Sequence, residues 1–302
     1  MTLSAKTADT AATIPLVPGM AALADRYDGF ILDLWGTIHD GLRPWAGAVD
    51  CLGELKRRGK RILMLSNAPR RSHLAIARLG EMGVPRDLYD DVLTSGEAAN
   101  DALMRRDDSW HARLGRRCYL LGPPKDASVL ENVPHERVAR LADADVIVNV
   151  GTFRRQDGLE AYEALVAEAA ERRLPMICCN PDYEVLRGDD RELCAGAIAR
   201  RYEELGGDVY YHGKPHAPIY DESLRRLGIA DRRRVLAVGD ALRTDVAGAA
   251  AYGIDSALVV STGILAVALG IAPFEDPAPA ALARLCAAEG QRPTAALAAF
   301  RW

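Results

Sequence analysis

An aspartate closes the apolar run Phe30-Ile31-Leu32-Asp33, and a glycine-containing turn through Gly36 and Thr37 follows at once. A carboxylate there is a nucleophile, a metal ligand, or only the polar end of a strand. A second run closes in Leu65-Ser66-Asn67, offering a hydroxyl and an amide that can each donate to a phosphoryl oxygen, although Ser-Asn ahead of Pro69 also makes an ordinary turn. A third closes in Val238-Gly239-Asp240 and continues to Thr244 and Asp245, so two more carboxylates flank the start of a helix. Hard cations such as Mg²⁺ take oxygen ligands of this kind; a helix-capping role accounts for Thr244 or Asp245 but leaves Asp240 over. Lys214, between Gly213 and Pro215, is one of only five lysines in a chain that otherwise uses arginine. A compact ammonium in a tight turn suits a point charge on a phosphate or carboxylate, with a solvated loop lysine as the alternative.

These residues share a position: each of the three acidic or polar tips follows an apolar run short enough for a buried strand. Such runs occupy residues 30–34, 61–65, 91–93, 234–238 and 257–260. Helical stretches at 46–58 and 72–82 lie between them, with Gly59 and Gly83 as C-terminal stops. Strand, helix, strand in succession predicts a parallel sheet, whose ligands sit beyond the carboxyl ends of its strands. A second series interrupts the first, with runs at 118–121, 146–150 and 176–179 and a helix at 159–173. It predicts an inserted α/β domain at 101–205, splitting the main domain into 20–100 and 206–302 behind an N-terminal extension at 1–19. The Ala- and Pro-rich last stretch carries helical patches at 280–288 and 294–301, read as packing helices or a frayed tail.

Composition narrows the chemistry. The 302 residues are 49% hydrophobic and 26% charged, enough apolar surface for two modest cores. A formal net charge of -4 offers no general attraction to nucleic acid or an anionic membrane, so neither is an expected partner and a small molecule is. No stretch reaches the roughly 18 uninterrupted apolar residues of a membrane span. The six cysteines form no CxxC pair and sit mostly in apolar runs, as buried reduced thiols do. Lys6 and Asp9 interrupt the start, which therefore lacks the apolar core of a signal peptide, and the expected location is cytoplasmic. No run is followed by GxGxxG or a Walker phosphate loop, which sets nucleotide-cofactor chemistry aside.

Taken in order, Asp33, Ser66-Asn67, Lys214 and Gly239-Asp240 with Thr244-Asp245 resemble the four motifs of the haloacid dehalogenase superfamily, over about residues 27–263. Within the insertion, Asn180-Pro181-Asp182-Tyr183 resembles the signature of its large-cap branch, class IIA, which includes nitrophenyl, phosphoglycolate and pyridoxal phosphate phosphatases; Thr94-Ser95-Gly96 and the run 248–253 are similar to that branch too. The resemblance implies a Rossmann-like parallel α/β core with an inserted α/β cap. It implies a Mg²⁺-dependent phosphatase of a small phosphorylated metabolite, working through an aspartyl phosphate on Asp33. Asp33, the backbone carbonyl of Trp35, Asp240 and Asp245 would hold the metal; Ser66, Asn67 and Lys214 would hold the phosphate, Lys214 also as a catalytic group. Asn180, Asp182 and Tyr183 would read the leaving group from the cap. A homodimer through the cap is compatible with the same resemblance.

The chain departs from the family at Trp35. Phosphatases of this kind usually carry a second aspartate there, two residues after the nucleophile, to protonate the leaving oxygen and then activate water. Indole does neither, and general acid-base catalysis is worth about 10² to 10⁴ in rate. Alkyl phosphates are then poor substrates unless another group, such as His39 or Asp40, substitutes; aryl or acyl phosphates need no acid. Two further readings follow: a slow or inactive protein that binds a phosphometabolite, and a dehalogenase, whose family carries an aromatic Tyr at this position and dispenses with metal. The paired acids Asp240 and Asp245 and the large cap weigh against the dehalogenase. Arg154, Arg155 and Arg187 serve recognition or solvation equally well.

Overall fold

The computed structural model describes residues 14–187 and 190–302, with the backbone alone at 186, 187 and 190. Its first strands are β1 (Gly29–Leu32), β2 (Arg61–Ser66) and β3 (Asp91–Thr94). Then come β4 (Arg117–Leu121), β5 (Glu136–Val138), β6 (Val146–Asn149), β7 (Met176–Cys178), β8 (Glu184–Arg187), β9 (Asp190–Leu193) and β10 (Val209–Tyr211). The last are β11 (Val235–Gly239), β12 (Asp255–Val259) and β13 (Ala295–Leu297). The core sheet runs β13-β12-β11-β1-β2-β3, all parallel.

The apolar runs are continuous because helices cover both faces of this sheet. Phe30, Leu32, Ile62, Met64, Leu236 and Val238 pack on one face, while Ile31, Leu63, Leu65, Val235 and Ala237 pack on the other, the alternation a strand requires. Helix Ala48–Arg57 buries Ala48, Cys51, Leu52 and Leu55, one stripe at helical spacing. Register then decides the site: Leu32 of central β1 lies opposite Val238 of β11 and Met64 of β2. The residues that follow these three adjacent strands therefore emerge side by side, with neighbouring strands about 4.8 Å apart.

A second parallel sheet, β10-β7-β6-β4-β5, carries its own buried clusters, and β8 and β9 form an antiparallel hairpin beside it. Its edge strand β10 lies past residue 205, so the expected boundary falls short of this sheet. Three residues after Gly206-Gly207 carry no period from which to read a strand. The end of the chain corrects another expectation. Residues 295–297, read as part of a helical patch, form β13: Val260 N–H donates to Leu297 O (3.0 Å) and Ser261 N–H to Ala298 O (2.8 Å). Alanine favours helix locally, but an open sheet edge with unpaired backbone groups outweighs that preference. Helix Pro279–Ala288 forms as expected. All six cysteines are free and buried, and no helix among the described residues is long and apolar enough to cross a membrane.

Candidate active site

Lys214 Nζ donates to Asp33 Oδ1 at 2.5 Å, to Asp245 Oδ1 at 2.7 Å and to Leu65 O at 3.4 Å. All three side chains are buried. Asp33 continues β1 for one more rung, its N–H donating to Val238 O (2.8 Å), which fixes the carboxylate at the strand tip. Asp240 follows β11, and Asp245 sits in the π-helical turn Leu242–Val246, reaching back to accept the Ala241 N–H at 3.1 Å. One oxygen from each of Asp33, Asp240 and Asp245 lies within 4.8 Å of the others. Two glycines make room for this. A Cβ on Gly36, which has φ 79°, would stand 2.3 Å from Asp240 Oδ2, and one on Gly239 would stand 2.0 Å from the Asp245 carboxyl carbon.

Electrostatics make the cluster unstable as it stands. Burial pushes the Asp33 carboxyl up to about 7, Lys214 pulling it down and Asp245 pushing it further up. Burial likewise holds Asp240 well above the usual carboxylate range, with Asp33 and Asp245 adding repulsion. Lys214 stays charged: burial disfavours its ammonium, but Asp245 and Asp33 outweigh that and raise it well above its ordinary value. One ammonium cannot balance three carboxylates in a site that excludes water, so the cluster retains a proton or takes a cation. Its donors are all hard oxygens, and Asp240 spends Oδ2 on the Ile264 N–H (2.8 Å), which orients it. That donor set fits Mg²⁺.

A thermal consequence follows. Because the folded state keeps on Asp33 a proton that the unfolded chain releases near pH 4, metal-free stability falls as pH rises from about 4 to about 7. Mg²⁺ at a hundred times its Kd is expected to restore about 2.7 kcal/mol, a Tm rise of roughly 5–10 °C. The rise should be largest at pH 8 and shrink below pH 6, where protons compete. A melting curve indifferent to Mg²⁺ at pH 8 would count against the fit.

A cavity of about 600 Å³ opens on this cluster, lined by Asp33, Trp35, Lys214, Asp240 and Asp245, with Asp182 facing them from the second sheet's side. Ser66 and Asn67, expected to hold the phosphate, are not among the residues that line it. Ser66 Oγ accepts the Ala68 N–H at 3.2 Å. Asn67 donates from Nδ2 to Asp182 Oδ1 and to Lys214 O, both at 3.0 Å, and accepts the Lys214 N–H (2.8 Å) and the Ser95 hydroxyl (3.2 Å) on Oδ1. Its amide thus ties three segments together. Asn180 accepts the Asp182 N–H at 3.1 Å and shapes the loop, while Tyr183 lies under Arg243, whose guanidinium sits 3.7 Å from the ring centroid. Arg154 and Arg155 do not line the cavity, and the side chain of Arg187 lies outside the described residues.

The neighbours of Trp35 are poor proton donors. His39 Nδ1 accepts the Gly41 N–H (3.0 Å), and burial pushes this imidazole down to about 4, so it is neutral; nor does it line the cavity. Its ring packs edge-on against Trp35 with centroids 5.6 Å apart. Asp40 does line the cavity, but despite its partial burial the Arg43 and Leu42 N–H groups hold its carboxyl below the usual range. Sequence reasoning missed Arg243, whose Nη2 donates to Pro181 O at 2.8 Å across to the Asn180–Tyr183 loop. Its place between Asp240 and Asp245 was the available signal.

Known proteins share the sequence pattern and the fold of this chain. A family model described as haloacid dehalogenase-like hydrolase matches residues 30–135, and a second, HAD-hydrolase-like, matches residues 211–283. A haloacid dehalogenase-like hydrolase from Brucella suis 1330 is 33% identical, with 94% of this chain and 99% of that one covered and a TM-score of 0.79. D-glycerol 3-phosphate phosphatase of Mycobacterium tuberculosis is 29% identical over 81% of this chain, which spans 66% of that protein's length. A glycerol phosphate phosphatase structure from Mycobacterium tuberculosis, in complex with magnesium, is 27% identical over 80% of this chain and 68% of that one, with a TM-score of 0.62.

Proposed function

The chain belongs to the haloacid dehalogenase-like hydrolases, and from that premise we propose that it is a phosphatase of a small phosphorylated molecule with Asp33 as its nucleophile. The observation that carries this reading is the buried contact of Asp33 with Lys214 at the mouth of one cavity that also holds Asp240 and Asp245. Lys214 orients the attacking carboxylate and presents positive charge to the phosphoryl oxygens, whose negative charge an apolar pocket would reject. An Asp33 oxygen attacks phosphorus, the bond to the ester oxygen breaks, and an aspartyl phosphate remains on residue 33. Water then attacks that phosphorus, releasing phosphate and regenerating the carboxylate. Asp33, Asp240 and Asp245, with the Trp35 carbonyl as a further oxygen, would hold Mg²⁺, which would supply charge that offsets the repulsion between carboxylate and phosphate.

The second sheet acts in this reading as a cap, inserted between the crossings near residues 105 and 212. Asn67 and Arg243 hold its Asn180–Tyr183 loop over the cavity, where it excludes water and meets the leaving group. The testing experiment is phosphate release from 4-nitrophenyl phosphate in Mg²⁺, because a nitrophenolate departs without a proton and its release needs no acid. Release that depends on Mg²⁺ is the expected result. Tight phosphate binding without release would favour the binding-protein reading, to which the indole of Trp35 gives some weight. Chloride release from a chloroacid in the absence of metal would favour the dehalogenase.

A further inference from the structure

We propose that Asp182, carried by the cap loop, is the proton donor and acceptor that Trp35 cannot be. The inference rests on the phosphatase reading above and adds a catalytic residue to it. Beyond the Asp33, Asp240 and Asp245 cluster, the carboxylates lining the cavity among the described residues are Asp40, Asp182 and Glu184. Asp40 is spent on the backbone of its own turn, and Glu184 accepts from Arg191 on the facing strand of its hairpin at 2.5 Å. Asp182 is differently placed. Its Oδ1 accepts from Asn67, whose other amide hydrogen goes to the carbonyl of Lys214, so the carboxyl is anchored to the residue that touches the nucleophile. Its Oδ2 takes no hydrogen bond from any described residue and is free to hold a proton.

Two further observations support the role. Burial raises the Asp182 carboxyl above its usual range, against the opposing pull of Lys214, Asn67 and Arg243. Arg243 steadies the loop on either side, donating to Pro181 O and stacking on Tyr183, and its Nη2 stays 4.0 Å from Asp182 Oδ1, beyond hydrogen-bond reach. In the first step the Asp182 proton passes to the ester oxygen as its bond to phosphorus breaks, giving an alcohol and the aspartyl phosphate. In the second, the Asp182 carboxylate takes a proton from the attacking water, phosphate leaves, and both aspartates return to their starting states. A donor on the cap makes chemistry conditional on closure, since the proton arrives only when the loop does.

The test compares kcat/KM in Mg²⁺ for 4-nitrophenyl phosphate and for glycerol 2-phosphate, an alkyl ester. Asp182→Asn is expected to lose about 10²- to 10⁴-fold on the alkyl ester and less than about tenfold on the aryl one. Adding Trp35→Asp to that variant is expected to restore most of the alkyl rate. In the wild type the ratio of alkyl to aryl kcat/KM is expected to fall as pH rises from about 5 to about 9, because only the alkyl ester needs the donor protonated; this measurement stands even if Asp182→Asn folds poorly. Equal losses on both esters, no loss on either, or a wild-type alkyl-to-aryl ratio that does not change with pH would each overturn the role. A wild type active on the aryl ester alone would overturn it too, while leaving the phosphatase reading standing. A wild type inert to both esters brings down that reading and this one with it.

Discussion

Asp33→Asn is expected to abolish turnover of even an aryl phosphate, by about 10⁴-fold or more, while leaving the protein folded. An amide oxygen is too weak a nucleophile to form a stable phosphoryl adduct, and neither of the other carboxylates in the cluster replaces it: Asp240 is turned onto the Ile264 N–H and Asp245 onto the Ala241 N–H. Stability behaves in the opposite sense. The Asp33 carboxyl is pushed up to about 7 in the folded state, so above pH 4 its ionisation works against folding in metal-free protein. Removing that charge leaves Lys214 paired with Asp245 at 2.7 Å. In EDTA at pH 8 the variant should therefore melt at or above the wild-type temperature, and its response to Mg²⁺ should weaken. Retention of more than about a hundredth of the wild-type rate on 4-nitrophenyl phosphate would show that Asp33 is not the attacking group.

Lys214→Met is expected to cost both activity and stability. Met has similar length and no charge, so the substitution strands Asp33 and Asp245 beside Asp240 without their buried partner. Breaking a buried ion pair from one side costs about 3–5 kcal/mol, a Tm loss of roughly 6–20 °C. Protonation of the carboxylates relieves part of this, so the loss should be greatest at high pH and smaller near pH 5. Combining Lys214→Met with Asp33→Asn should recover part of the loss, because the pair shares one interaction and the effects are not additive. Turnover should fall by about 10²- to 10³-fold even where the variant is folded, since charge stabilisation of the phosphoryl oxygens goes with the ammonium. An unchanged melting temperature would mean that the ammonium is not the cluster's electrostatic partner.

The parallel α/β fold was legible in the sequence. Runs such as 30–34 and 234–238 are apolar at every step because both faces of the sheet are covered, and that pattern is local. Asp33, Asp240 and the Ser66-Asn67 pair could be singled out because a polar residue directly after such a run must sit at a strand's carboxyl end. The final strand could not be read: an alanine-rich stretch looks helical, and only the open edge of β12 makes it extended.

Other features depended wholly on distance in space. Asn67 meets Asp182 across 115 positions and Lys214 meets Asp33 across 181, separations that leave no periodic trace in the chain. His39 and Asp40 lie close to the indole in sequence, yet one is buried neutral and the other is bound to its own turn, while the carboxyl proposed as donor comes from the cap. Residue type and spacing determined which groups stand at strand ends, because backbone periodicity is a short-range property. Which of them share water-poor space, and therefore which hold protons, was decided by packing between segments, because burial and mutual charge exist only once the chain has closed on itself.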